Sequence, residues 1–254
     1  MCKFIHKGVK NRMAGKSLED VTILKILHSD IKELDENMKI ARYMGRKKFY
    51  DIIRDKSMWF SNITEFLDNK ERQPRTIKSS SQRGKEIIEN IMNHLIEKCE
   101  VYVSCWTKFN QENYAMWKLY DKNSNGVCIV TTIGKLKEQL PQNVVLDEVR
   151  YDQGSGVIVP NIYPEGVAGN YLASEFAKIG PYKYEDEVRA VFYSVDKEKG
   201  VQIPLDFKEL ITDIYISPFA NEKTVEELRK KISTEIGEEK IAISQIDEKV
   251  DESH

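Results

Sequence analysis

The sequence predicts an α+β fold in which a helical N-terminal region packs on a curved or split, mostly antiparallel sheet. Three observations carry that expectation. Apolar residues recur at helical spacing before residue 100, the period shortens toward strands after it, and helices and strands do not alternate as strictly as a doubly wound parallel sheet requires.

Ser17 with Asp20 three residues later resembles a capping box. Leu18, Val21, Leu24, Leu27, Ile31, Leu34 and Met38 follow at helical spacing, which predicts an amphipathic helix of about five turns. A second helix is expected around "RKKFYDIIRD". A third is expected in "GKEIIENIMNHLIEKC", where Ile87, Ile88, Ile91, Met92, Leu95 and Ile96 form an apolar stripe. The basic, Ser-rich stretch over 69–84 between them reads as a surface loop. From residue 101, "VYVSCWT", "GVCIVTT", "VVLDEVRY", "VRAVFYSV", "VQIPL", "TDIYIS" and "KIAIS" are short, β-branched and aromatic, as strands are. "ENYAMWKLY" and "TIGKLKEQL" read as short helices. "TVEELRKKISTEIG" reads as a longer one, with Thr224 and Glu227 as capping box, Val225, Leu228, Ile232 and Ile236 as stripe, and Gly237 as stop. "YDQGSGVIVPNIYPEGVAGN" is rich in glycine and proline and reads as a long irregular loop of the lid or binding kind. The expected organisation is a helical extension over 1–39, one α+β domain over 40–246 and a disordered acidic tail over 247–254, with no internal repeat.

At 254 residues and 41% hydrophobic residues the chain can bury a sizeable core. Its 39 basic and 41 acidic side chains leave a formal charge of −2, which gives no global drive toward nucleic acid or a membrane. Cys2, Cys99, Cys105 and Cys128 form no C-x-x-C pair, and no apolar run is long enough for a membrane span or signal peptide. The expectation is a soluble, reduced, cytoplasmic protein without a membrane partner. Four scattered histidines, His6, His28, His94 and His254, argue against zinc and against a Ser or Cys triad. Chemistry then falls to Glu, Asp, Arg, Tyr, Trp and Ser.

Three constellations stand out, each with an ordinary counterpart. Arg42, Tyr43 and Trp59 could bind a phosphate and stack on a ring, or could be a snorkelling arginine with core aromatics. Trp106 and Trp117 could line a site beside Ser104 and Tyr120, or could be core. "YKYEDEVRAVFYS" places Glu185, Glu187 and Arg189 at strict alternation, which on a strand is either a solvated, charge-paired face or an acidic active-site edge. Glycosyl cleavage develops positive charge on the sugar, and a carboxylate there can stabilise it.

The segments together resemble the bacterial Domain of Unknown Function family 2971. The match runs through Arg42, Tyr43, Met44, Lys48 and Phe49, then Trp59 and Phe60, Cys105 and Trp106, and Ala115, Met116, Trp117, Tyr120, Gly126 and Val127. It continues through Tyr151, the Glu185, Glu187, Arg189 triplet, and Ser217, Pro218 and Ala220, covering roughly 40–246. The family's "F.DP.E" stands here as "FLDNKE", with Phe66, Asp68 and Glu71 kept and Asn69 in place of proline. More distantly, the order Arg42, Ser104, Glu187 and the "YEDEV" stretch are similar to ADP-ribosyltransferases.

That second resemblance implies a split sheet and NAD as substrate. Arg42 would hold its phosphates or ribose, Ser104 would support the site, and Tyr120 or a tryptophan would stack on nicotinamide. Glu187 would stabilise the ribosyl cation while Glu185 orients the acceptor, and Tyr43 and Arg189 would join the NAD-binding residues. A toxin-like or phage-defence effector with an unknown protein or nucleic-acid target, and a neutralising or activating partner protein, are the roles it implies. Two alternatives stay open: a non-catalytic ligand or partner-binding module, and a magnesium-dependent nuclease using Asp68, Glu71, Glu185 and Glu187. The expectation to be checked is that Glu187 and Arg189 face a cleft shared with Arg42 and with Trp106 or Trp117.

Overall fold

The computed structural model describes residues 33–66, 78–79, 100–151, 169–170, 174–194 and 198–246. The strands, in chain order, are β1 (Lys39–Met44), β2 (Ser57–Asn62), β3 (Lys78–Ser79), β4 (Glu100–Lys108), β5 (Val127–Thr132), β6 (Val145–Glu148), β7 (Arg150–Tyr151), β8 (Gly169–Asn170), β9 (Ala177–Lys178), β10 (Glu187–Ser194), β11 (Gly200–Pro204), β12 (Asp213–Ile216) and β13 (Ile241–Ala242). The helices are α1 (Arg46–Asp55), α2 (Tyr114–Tyr120), α3 (Ile133–Gln139), α4 (Phe207–Leu210) and α5 (Glu222–Glu235). This is the α+β class that the sequence predicts.

The chain divides into two compact units, and the expected 40–246 domain contributes to both. Among the described residues, one comprises 33, 59–66, 78–79, 100–104, 141–151, 169–170, 174–194 and 198–203, the other 34–58, 105–140 and 204–246, so β4 runs from the first into the second.

In the first unit the ladder order is β11-β2-β4, and β10 pairs with both β4 and β6. β10 runs antiparallel to β6 with Arg189 opposite Asp147. β7 and β9 pair in parallel, placing Tyr151 beside Lys178. The core here is aromatic. Phe192 stacks on Tyr102 at 5.2 Å between centroids and meets Phe60 edge-on at 5.6 Å, geometry that contributes about 0.5–1.5 kcal/mol per pair beyond burial. Gly200 has to be glycine, because a Cβ there would lie 2.1 Å from the Trp59 ring.

In the second unit the order is β4-β1-β5-β12-β13, antiparallel except for the parallel pair β12–β13. β1 was not anticipated as a strand. Ile40, Ala41, Tyr43 and Met44 are all buried, so both faces are covered and no alternation appears in the sequence. Tyr43, Met116, Trp117, Cys128, Val130 and Phe219 build the core of this unit. α1 matches the expected "RKKFYDIIRD" and buries Phe49, Ile52 and Ile53.

Two helix ends correct the expectation. Residues 33–38 form a turn, with the Met38 amide donating to Asp35 O at 3.0 Å and the Asn37 amide to Asp35 Oδ1 at 2.9 Å. Asp35 thus offers the backbone an alternative to a last helical turn at Leu34–Met38. α5 is capped by Asn221, whose side chain accepts from the Thr224 amide at 2.9 Å, so Thr224 lies inside the helix instead of capping it. The expected helices over 17–32 and 84–99, the Gly-rich loop over 152–168, Asp68, Glu71 and the acidic tail lie outside the described residues.

Candidate active site

The opening of β10 is where the first unit gathers charge. A 3₁₀ turn over Gly180–Glu185 leads into Asp186, which adopts a left-handed conformation at φ 38, ψ 58 before the strand begins at Glu187. Asp tolerates that region better than most residues. The Glu185, Glu187, Arg189 triplet is therefore not one extended ladder, and this corrects the strict alternation read from sequence. The left-handed residue re-aims Glu185 so that both glutamates reach the same ammonium.

That ammonium is Lys178, which pairs with Glu185 Oε2 and lies 3.5 Å from Glu187 Oε1. Arg189 closes the other side, donating from Nε at 2.8 Å and from Nη2 at 2.7 Å to Glu187 Oε2. Its Nη1 donates to the Glu175 carbonyl at 2.7 Å, and its guanidinium lies 5.6 Å from the Phe66 ring centroid. The Glu187 amide donates to Tyr151 Oη at 2.9 Å, while Lys178 sits 4.7 Å from the Tyr182 ring centroid. Glu185 and Glu187 are each 5% exposed and Arg189 is 0% exposed, so the solvated strand face does not describe this segment. Val188, Ala190 and Val191 are buried as well, which leaves β10 no wet side over this stretch.

Burial pushes the Glu187 carboxyl up, but the Arg189 and Lys178 charges overcome it and hold the group below the ordinary glutamate value. Glu185 moves the other way: burial pushes it up, opposed by the Lys178 hydrogen bond and reinforced by the Glu187 charge. Two neighbouring carboxylates driven apart in proton affinity suit one to remain charged and the other to exchange a proton. Burial likewise pushes the Tyr151 phenol up. Among the described residues no group of three or more metal-type ligands occurs, and carboxylates already bound to an ammonium and a guanidinium fit a magnesium centre poorly.

A second charged cluster belongs to the second unit. Arg42 on β1 is half-buried and its Nη1 lies against the Met58 thioether. Burial pushes its guanidinium down, and Cys105 and Tyr120 oppose the shift. Lys48 on α1 is pushed down to about 8, first by the Arg42 charge, then by desolvation, with Cys105 opposing. The Lys48 side chain is exposed, so the neighbouring cation is the cause that matters. Tyr120 is 45% exposed beside this pair. Trp106 is buried, and its indole N–H finds no partner among the described residues.

Other expected ligand groups are structural. Tyr43 is buried and accepts from the Asn113 amide at 2.9 Å, edge-on to Trp117 at 5.0 Å. Trp117 is fully buried and donates its indole N–H to Glu112 at 3.1 Å, so it is core and cannot stack on a ligand. Arg189 is an internal clamp instead of a cofactor ligand, since its donors face Glu187 and Glu175. Ser104 is buried on β4 in the first unit, whereas Arg42, Trp106 and Trp117 belong to the second.

Sequence reasoning missed Lys178 and Glu112. Lys178 stands alone in "FAKIGPYK" with no motif around it, and only the parallel β7–β9 pair brings it to the glutamates. Glu112 also accepts from Ser244 Oγ at 2.9 Å and the Gln245 amide at 2.8 Å, contacts across more than a hundred residues that no local pattern announces.

No family model matches the chain, so the likeness to family 2971 rests on its motifs, and no curated protein matches it. A solved structure of DarT from Thermus sp. 2.9 in complex with ADP-ribosylated ssDNA is similar at TM-score 0.38 and 11% identity, covering 84% of this chain and 96% of that one.

Proposed function

We propose that the protein cleaves the nicotinamide–ribose bond of NAD, either transferring ADP-ribose to an acceptor or hydrolysing it. The observation that carries this reading is the carboxylate pair at the start of β10, with Glu187 held ionised between Arg189 and Lys178 and Glu185 held closer to neutrality. As the C1′–N bond breaks, nicotinamide leaves with the bonding electrons and positive charge develops on the ribosyl ring. Glu187 stabilises that charge, a role for a preorganised carboxylate in a site poor in water. Water or an acceptor nucleophile then attacks C1′ and gives its proton to Glu185, whose raised affinity for protons suits a general base. In the second unit, taken by itself, Arg42 with Lys48 is a pair of cations suited to an anion, and Tyr120 beside them is half exposed. Ser104 would support the site from β4. The acceptor would be a protein or nucleic acid, and the biological setting a toxin-like or phage-defence effector.

The test is nicotinamide release and label transfer from NAD by the pure chain, with lysate protein and with single-stranded and double-stranded nucleic acid as acceptors. Glu187→Gln is expected to lower the rate roughly 10²–10³-fold, the loss seen on removing one electrostatic stabiliser. Wild type no faster than Glu187→Gln in every acceptor sinks the reading. One observation favours a non-catalytic binding module: both Glu187 oxygens already have cationic partners within the chain. Under that reading Glu187→Gln leaves function intact and Tyr120→Ala abolishes it.

A further inference from the structure

Lys178 is a charged group of the first unit that no sequence motif announces, and it touches both carboxylates at once. Its ammonium is withdrawn from water, with its side chain 8% exposed and the Glu185 and Glu187 side chains 7% and 6% exposed. A long flexible lysine is almost never buried unless paired, and here the pairing is twofold. It comes from β9, a two-residue strand held in parallel to β7, and the 3₁₀ turn and left-handed Asp186 deliver Glu185 to it from the other side. Each of these local features is unusual, and all converge on one ammonium.

We propose that Lys178 is the positioning residue of this site, an ammonium buried between Glu185 and Glu187 that holds both carboxylates on one point and so sets where Glu187 presents its charge. As a statement about catalysis it rests on the NAD-cleaving reading; as a statement about the carboxylate pair it does not.

Charge counting supports the role. Lys178 and Arg189 balance Glu185 and Glu187, whereas without Lys178 one guanidinium would face two buried carboxylates. Arg189 donates to Glu187 Oε2 and to the Glu175 carbonyl, and for Glu185 its charge is a smaller influence than the Lys178 hydrogen bond. Glu185 would then lose the ammonium it is bonded to and keep the lesser influence of the Arg189 charge. The other groups facing the pair are the Tyr151 phenol from β7, the Tyr184 hydroxyl bonded to Glu185 from the 3₁₀ turn, the Tyr182 ring under Lys178, and Asp147 opposite Arg189 on β6. Asp147 is engaged elsewhere, accepting from Arg150 Nη1 at 2.8 Å. None of these four groups is a cation.

The experiment follows the side-chain carboxyl carbons of the full chain, labelled at glutamate, by NMR through a pH titration, with Glu185→Gln and Glu187→Gln assigning the two resonances. In wild type Glu187 titrates below and Glu185 above the ordinary glutamate value. In Lys178→Met both midpoints rise, Glu185 by about 1 unit or more, the size of shift an adjacent opposite charge produces, while Lys178→Arg keeps the wild-type pattern. Midpoints in Lys178→Met indistinguishable from wild type overturn the proposal. Should Lys178→Met not fold at neutral pH, Lys178→Gln gives the same reading. If neither folds there, recovery of folding in acid, where the orphaned carboxylates take up protons, supports the clamp, and failure to fold at any pH overturns it. The acid limb of any NAD-cleaving rate moves to higher pH in Lys178→Met, a change that a merely structural lysine does not produce. If the carboxyl midpoints move as described but wild type releases no nicotinamide, the NAD reading falls and the clamp stands.

Discussion

Glu187 in the first unit and Arg42 in the second are both charged groups withdrawn from water, yet their surroundings treat them oppositely. Glu187 is enclosed by opposite charge, with Arg189 on one oxygen and Lys178 on the other, and it stays ionised although burial works against it. Arg42 is pushed toward losing its charge by burial, and the neighbouring Lys48 is pushed the same way, first by the Arg42 charge. A closed, compensated cluster fixes geometry. A half-open cluster of like charges is eased by an incoming anion, because a phosphate brings opposite charge to both cations.

The largest test of this contrast is Arg189→Met. It leaves Glu187 buried with one cationic partner fewer, and breaking a buried pair costs about 3–5 kcal/mol. Urea denaturation at neutral pH is expected to show a loss of that order. A loss comparable to that of an exposed pair would mean that water reaches Glu187.

The pH dependence of stability separates the two glutamates, both referred to an ordinary value of 4.5. Glu187 is held lower in the folded state, so its contribution is present above 4.5 and is lost as pH falls through its folded value. Glu185 is held higher, so its contribution is present below 4.5 and is lost as pH rises through its folded value. Glu187→Gln should therefore flatten the acid side of the curve and Glu185→Gln the neutral side, read as denaturation midpoints across that window. The same flattening from both variants would show that the pair titrates as one group.

The smallest expected effect is at Lys48. Amine labelling of the intact chain, with the modified site read by mass spectrometry, is expected to have a midpoint of about 8 at Lys48. Arg42→Met should move that midpoint up, and inorganic phosphate should do the same in wild type if the two cations share an anion. No movement in Arg42→Met would detach Lys48 from Arg42.

Much of the fold was written in local periodicity. The amphipathic run at 46–55 and the stripe through Leu228 and Ile232 needed only helical spacing, and β10 and β12 needed only β-branched and aromatic residues between breakers. β1 escaped because a strand covered on both faces has no alternation to read. At the candidate site, the sequence singled out Glu185, Glu187 and Arg189 as the charged start of a strand. It could not say whether they face water, since the same alternation serves a wet face and a buried one. Tertiary structure decided that by burying β10 on both sides, turning the chain at Asp186, and bringing in Lys178 through a parallel strand pair far from any motif. It also sorted the aromatics: Trp117 became core because Glu112 accepts its indole N–H, while Tyr120, three residues on in the same helix, remained exposed. Spacing along the chain determines which residues share an element. The partners that settle a buried charge come from elsewhere in the chain, and their arrival depends on packing that no local pattern records.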